Sequence, residues 1–155
     1  HNGVPGAGGT RNANVEKFAL GTVILLFAAD LLPLPPMVSA VLAFAAALAH
    51  GARLYLWKPW RTFGTPLVWI LHAAYAWIVV HLALRGCSLT GGLAPSFAIH
   101  ALTAGAIGGL TLGMMTRVAR GHPARALPAH APERALFVLL QMAAVPRVLR
   151  AMVPA

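Results

Sequence analysis

HALTAGAIGGLTLGMMTRVARGH, residues 100–122, decides how this chain folds. From Phe97 to Thr116 there are 20 residues without a formal charge, which at about 1.5 Å per residue is roughly the 30 Å of a bilayer core. The stretch predicts one membrane-spanning helix over about 97–117. Ala101, Gly105, Gly109 and Gly113 recur every four residues. They form a stripe of small residues on which a second helix can pack by close van der Waals contact, the main source of helix association in lipid. On another face, His100, Thr103, Ile107, Thr111 and Met114 follow steps of three and four. An imidazole, two hydroxyls and a thioether therefore share one side.

The rest of the chain has the same character. Of its 155 residues, 59% are hydrophobic and 10% charged, and its mean hydropathy is +0.73. That is far too apolar for a soluble domain of this size, so we expect an all-α, polytopic transmembrane bundle. The net charge of +9 is spread over helix ends without a basic run, which argues against nucleic acid and for the positive-inside tendency. A single cysteine, Cys87, excludes an intramolecular disulfide and any cysteine-based metal cluster. No nucleophile-elbow, P-loop, dinucleotide or zinc-protease motif is present. With only Glu16, Asp30 and Glu133 as acids, acid–base hydrolysis has little to work with.

Working outward from 97–117, four further helices are expected at about 15–32, 36–57, 63–84 and 133–153, in a single membrane domain. Asn14 is read as the first N-cap, and Pro33, Pro35 and Pro36 separate the first two helices. Trp57, Lys58, Trp60 and Arg61 form an aromatic and basic belt of the interfacial type. Nine Lys and Arg residues (Arg11, Lys17, Arg53, Lys58, Arg61, Arg117, Arg120, Arg125, Arg134) fall on one side, against Arg85 alone on the other. The nine-residue side is expected to be cytoplasmic. The chain opens on His1 and stops at Ala155, inside a segment that reads as helix. We therefore expect a portion of a longer protein, packed against its remainder.

Seven histidines against three acids is a skew with chemical meaning. Four of them, His50, His72, His81 and His100, fall within expected spans. Neutral imidazole ligates haem iron or copper without burying a charge, although a hydrogen-bonded helix contact is the plainer use of each. His72 and His81 are nine residues apart, so they face opposite ways and cannot share one metal. His72 paired with His100 or His50, or His81 paired with His100, are the axial pairs that depth allows. His122 lies in the basic loop. Met114 is a soft ligand suited to copper or simply a packing residue. Asp30, Arg147 and Arg150 at membrane depth suggest a second function class, a transporter or channel using intramembrane charge. A third possibility is that this segment scaffolds a site carried elsewhere.

Residues 100–122 also resemble the signature of the NnrS family. Arg53, Trp57, Trp60, Pro66, Leu67, Trp69, His72, Tyr75 and Trp77 match its preceding helices in order and spacing, as does DLLPLPP at 30–36. The resemblance implies a multi-pass protein of the bacterial inner membrane that contains haem and copper and serves the response to nitric oxide. It implies no hydrolytic chemistry, and leaves redox chemistry at haem open. His72, His100 and His122 match the pattern, which makes them metal candidates alongside His81 and Met114. His50 joins His72 and His100 as a haem candidate. Arg147 and Arg150, on one helix face, could pair with haem propionates. The chain departs from the signature at its end, where Gly121-His122-Pro123-Ala124-Arg125 replaces a G-H-T-G-R continuation.

Overall fold

A computed structural model describes residues 9–121 and 131–150. Among them are five helices and no strand: α1 (Ala13–Leu31), α2 (Pro36–Leu56), α3 (Pro66–Leu89), α4 (95–121) and α5 (Ala131–Arg150). The expected helix count and order hold. Three helices, Pro36–Leu56, Pro66–Leu89 and Pro95–Arg120, are long and apolar enough to cross a membrane. α1 and α5 are not among these three, since α1 carries Glu16, Lys17 and Asp30, and α5 carries Glu133, Arg134, Arg147 and Arg150.

The helix ends differ from expectation for local reasons. Asn12, not Asn14, caps α1: its side chain accepts from the amides of Asn14 at 3.0 Å and Val15 at 3.4 Å, which satisfies two otherwise orphaned donors. α3 starts later and runs five residues further than the expected 63–84. Gly86 does not break it, because that residue is buried beneath the ring of Phe44. The stop is Gly91, at φ +79°. There the Gly92 amide bonds to Cys87 O and the Gly91 amide to Ser88 O, both at 3.0 Å, the paired bonds of a Schellman cap. Arg85 is thus helical rather than part of a loop. His72 moves from the expected mid-span to the second turn of α3, and His81 moves toward its middle.

Consecutive helices run antiparallel. Leu26 of α1, Ala43, Ala46 and Ala47 of α2, and Leu82 of α3 form one buried cluster. Phe137 of α5 packs on Leu67 and Ile70 near the start of α3, and Val148 packs on Phe97 and Ala101 at the opposite end. The small-residue stripe does what its spacing predicts. Ala101, Gly105, Gly109 and Gly113 are all buried, with α3 laid along them. A Cβ on residue 109 would lie 2.7 Å from Ala74 Cβ, and one on residue 113 would lie 3.0 Å from Ile70 Cγ2. The helix is not uniform, however. Ala101–Ile107 is π-helical, and the widened turn buries two successive residues, Gly105 and Ala106.

Each of the three acids sits in an ion pair: Arg11 with Glu16 at 3.0 Å, Arg85 with Asp30 at 2.5 Å, and Arg120 with Glu133 at 2.7 Å. Asp30 is therefore a neutralised helix-end residue rather than a bare intramembrane acid.

Candidate functional site

Where α1, α2 and α3 meet near the start of α3, the polar and aromatic side chains converge. The spacing Arg53–Trp57 on α2 and its end, and His72–Tyr75 on α3, puts each pair on one helix face. The antiparallel packing of these helices brings the two faces together. Trp57 lies 4.8 Å from Tyr75 between ring centroids and 6.0 Å, edge-on, from His72. The Arg53 guanidinium stands 4.7 Å from the centre of the Trp57 ring, a cation–π contact. Beyond Trp57 the chain turns through Lys58, which adopts left-handed backbone at φ 52°. A short 3₁₀ segment, Pro59–Thr62, then carries Thr62 in under His72.

The hydrogen bonds fix the ring tautomers, because carbonyls only accept and a hydroxyl has one proton. His50 Nε2 lies 3.2 Å from Ala19 O, so it donates. Its Nδ1 therefore accepts from the Tyr75 hydroxyl, at 2.5 Å. Tyr75 in turn accepts from Arg53 Nη1 at 3.3 Å. Both ring nitrogens of His50 are occupied. The Thr62 hydroxyl donates to Pro59 O at 2.6 Å, so the 3.3 Å contact between Thr62 Oγ1 and His72 is donated by His72 Nδ1. That leaves His72 Nε2 with its lone pair. His72 lines a groove of about 350 Å³ with Gly9, Arg11, Glu16, Arg53, Trp57 and Thr62.

His81 is arranged similarly toward the other end. Its Nδ1 donates to Ala98 O at 2.8 Å, leaving Nε2 available, and it lines a second pocket of about 270 Å³ with Arg85, Ser88 and Pro95. The two pockets share no residue, in keeping with the opposed directions expected of His72 and His81. His100 is half-buried at the head of the π-helical segment. Met114 is 48% exposed and turned outward with Thr103, Ile107 and Thr111. Arg147 and Arg150 are exposed near the end of α5, level with Phe97 and Ala101. His122 lies outside the described residues.

Among the described residues, no three His, Cys, Asp or Glu side chains are grouped closely enough to hold one metal ion. Haem is different, because one or two axial ligands suffice and the rest of its hold comes from apolar contact and its propionates. His72 in its groove fits that requirement. Tyr75 entered the sequence reading only as a matching position, Arg53 and Trp57 also as a basic residue counted for orientation and as part of the interfacial belt, and Thr62 did not enter at all. The one available signal was the shared helical face of Arg53 with Trp57 and of His72 with Tyr75.

The family model described as NnrS protein matches residues 1–155. Neither a curated protein nor a solved structure matches the chain.

Proposed function

The chain belongs to the NnrS family, and from that premise we propose that it is a haem-binding, multi-pass protein of the bacterial cytoplasmic membrane that serves the response to nitric oxide. The observation that carries this reading is the hydrogen-bond geometry of His72. Thr62 holds its Nδ1–H and so keeps Nε2 unprotonated, as a metal-ligating imidazole requires. The groove it lines has an aromatic wall at Trp57 and the Arg53 guanidinium, with Arg11 held by Glu16; an aromatic wall beside a guanidinium suits a flat apolar ring bearing carboxylates.

Bound there, haem would supply an iron able to bind nitric oxide, a small apolar gas that partitions into lipid. His72 would hold the iron, Thr62 would hold the His72 tautomer, and Arg53 would face the propionates, Arg11 being paired with Glu16. Copper is part of what the family implies, and among the described residues no three His, Cys, Asp or Glu side chains gather for it. No step is assigned to it.

The test is an optical spectrum of the full-length protein, purified in detergent from haem-replete cells. A Soret band is expected for the native protein and for His81→Ala, and its loss for His72→Ala with helical content unchanged. A Soret band retained in His72→Ala, or absent from the native protein, overturns the assignment.

A further inference from the structure

The pocket at His81 shares no residue with the His72 groove and takes no part in the haem reading. His81, Arg85 and Ser88 follow steps of four and three, so they share one face of α3. Pro95, Ala98 and Ile99 line the same pocket from the start of α4. Both helices are long and apolar enough to cross a membrane. Pro95 and Ile99 are exposed, so the pocket opens on the outer surface of these two helices, where a lipid-soluble molecule can enter.

Its polar side chains have defined hydrogen-bonding states. His81 Nδ1 donates to Ala98 O at 2.8 Å, so in this tautomer Nε2 can only accept. Arg85 is held by Asp30. The Ser88 hydroxyl has no hydrogen-bond partner among the described residues. A ligand that fits therefore presents a donor to His81, an apolar body along Ala98 and Ile99, and a second oxygen to Ser88. Ser88 lies seven residues beyond His81, about 10.5 Å along the helix axis. A benzene ring with para oxygens, hydrogen-bonded at both, spans about 11 Å between its partners.

We propose that this pocket binds the headgroup of a quinol, one O–H donating to His81 Nε2 and the para oxygen accepting from Ser88. A phospholipid headgroup does not match, because its phosphate calls for a free cation and Arg85 is engaged by Asp30. The fixed tautomer also makes the site selective for oxidation state. A quinone has carbonyl oxygens, which only accept, so one facing His81 Nε2 sets two acceptors against each other and leaves both unsatisfied. At Ser88 the two forms are equivalent, since either oxygen accepts. The reduced form is the ligand.

The experiment measures binding of decylubiquinol and of decylubiquinone to the full-length protein in lipid nanodiscs without oxygen. Nanodiscs lacking protein give the partition into lipid. Dithionite, present only with the quinol, keeps it and any haem reduced, so electron transfer does not compete with binding. The native protein should bind decylubiquinol saturably and about tenfold more tightly than decylubiquinone, the scale of one hydrogen bond. His81→Phe keeps a ring but no acceptor, and should lose about tenfold in quinol affinity together with the preference for the reduced form. Ser88→Ala should weaken both forms alike and keep the preference. A structural defect would weaken both forms without separating the two variants in this way, and the native ratio of quinol to quinone affinity needs no variant at all. Absence of saturable binding above empty nanodiscs, decylubiquinone bound as tightly as decylubiquinol, or quinol affinity unchanged in His81→Phe overturns the proposal. None of these readouts depends on haem, so a failure of the haem assignment does not decide this result.

Discussion

The indole of Trp77 occupies the space in which a side chain at residue 105 would begin. A Cβ on Gly105 would lie 2.3 Å from Trp77 Cγ, inside any permitted contact. The ring cannot swing aside cheaply, because its Nε1 donates to Gln141 Oε1 at 2.7 Å and ties α3 to α5. Gly105→Ala therefore forces α3 and α4 apart or breaks the Trp77–Gln141 bond. We expect it to destabilise the bundle by about 3 kcal/mol, seen as a lowered unfolding midpoint in detergent. Gly21→Ala, in α1, meets nothing within 4 Å and should leave the midpoint unchanged or slightly raised.

The Asp30–Arg85 pair joins the ends of α1 and α3, 2.5 Å apart, with each side chain about one-third exposed. Screening at that exposure limits its worth. A double-mutant cycle of Asp30→Asn and Arg85→Gln should return a coupling of about 1 kcal/mol or less. The same variants bear on a transport role: if Asp30→Asn abolished ion flux in proteoliposomes while barely changing stability, Asp30 would be functional and not simply a partner for Arg85.

Much of the fold was legible because it is written in local periodicity. The four-residue recurrence of small side chains announced the close approach of another helix, and α3 supplies it through Ile70, Ala74 and Trp77. The prolines at 33, 35 and 36 placed the break between the first two helices and the start of α2 at Pro36. What stayed hidden depends on distant partners. Gly86 falls beyond the expected helix end at residue 84, and its place within α3 shows only when Phe44 is seen to cover it. The π-helical turn at Ala101–Ile107 has no residue signature of its own. The histidines could be recognised as ligand candidates from sequence, but which nitrogen each one offers depends on Thr62, Tyr75, Ala19 and Ala98, whose positions relative to them only the tertiary structure sets.

Gly91 ends α3 in left-handed backbone at φ +79°, and its Cβ direction is open. Any cost of substitution there is conformational rather than steric against neighbours. Gly91→Ala should destabilise by about 1–2 kcal/mol. Gly92→Ala, which adds its Cβ 3.3 Å from Cys87 O without a positive φ, should cost less. Thermal unfolding of the two variants side by side separates the contributions.

Thr62 bears on haem only through His72. Thr62→Val keeps the side-chain shape and removes the hydroxyl that accepts the His72 Nδ1–H and donates to Pro59 O. The His72 Nδ1–H then loses its side-chain acceptor. Haem affinity should fall by roughly 10- to 100-fold, measured by titrating haem into apoprotein. Thr62→Ser should restore most of it. Equal affinity in the valine variant would show that the hydroxyl does not position the ligand.

The guanidinium groups provide the sharpest discrimination between the two ends of the bundle. Arg147 and Arg150 lie three residues apart near the end of α5, and Val148 between them packs with Phe97 and Ala101, at the level of Leu84. His72 is twelve residues before Leu84 on α3, about 18 Å along the helix axis. Arg53 and Arg11, by contrast, line the His72 groove itself. With haem on His72, Arg53→Gln should weaken haem retention by about tenfold, the scale of one charge-assisted hydrogen bond. The double variant Arg147→Gln, Arg150→Gln should then leave retention unchanged. The reverse pattern, loss in the double variant and none in Arg53→Gln, would move the haem to the end of the bundle that holds His81 and His100. Haem dimethyl ester, which lacks free propionates, adds an independent check: its affinity should be lower than that of haem in the native protein and should fall no further in Arg53→Gln.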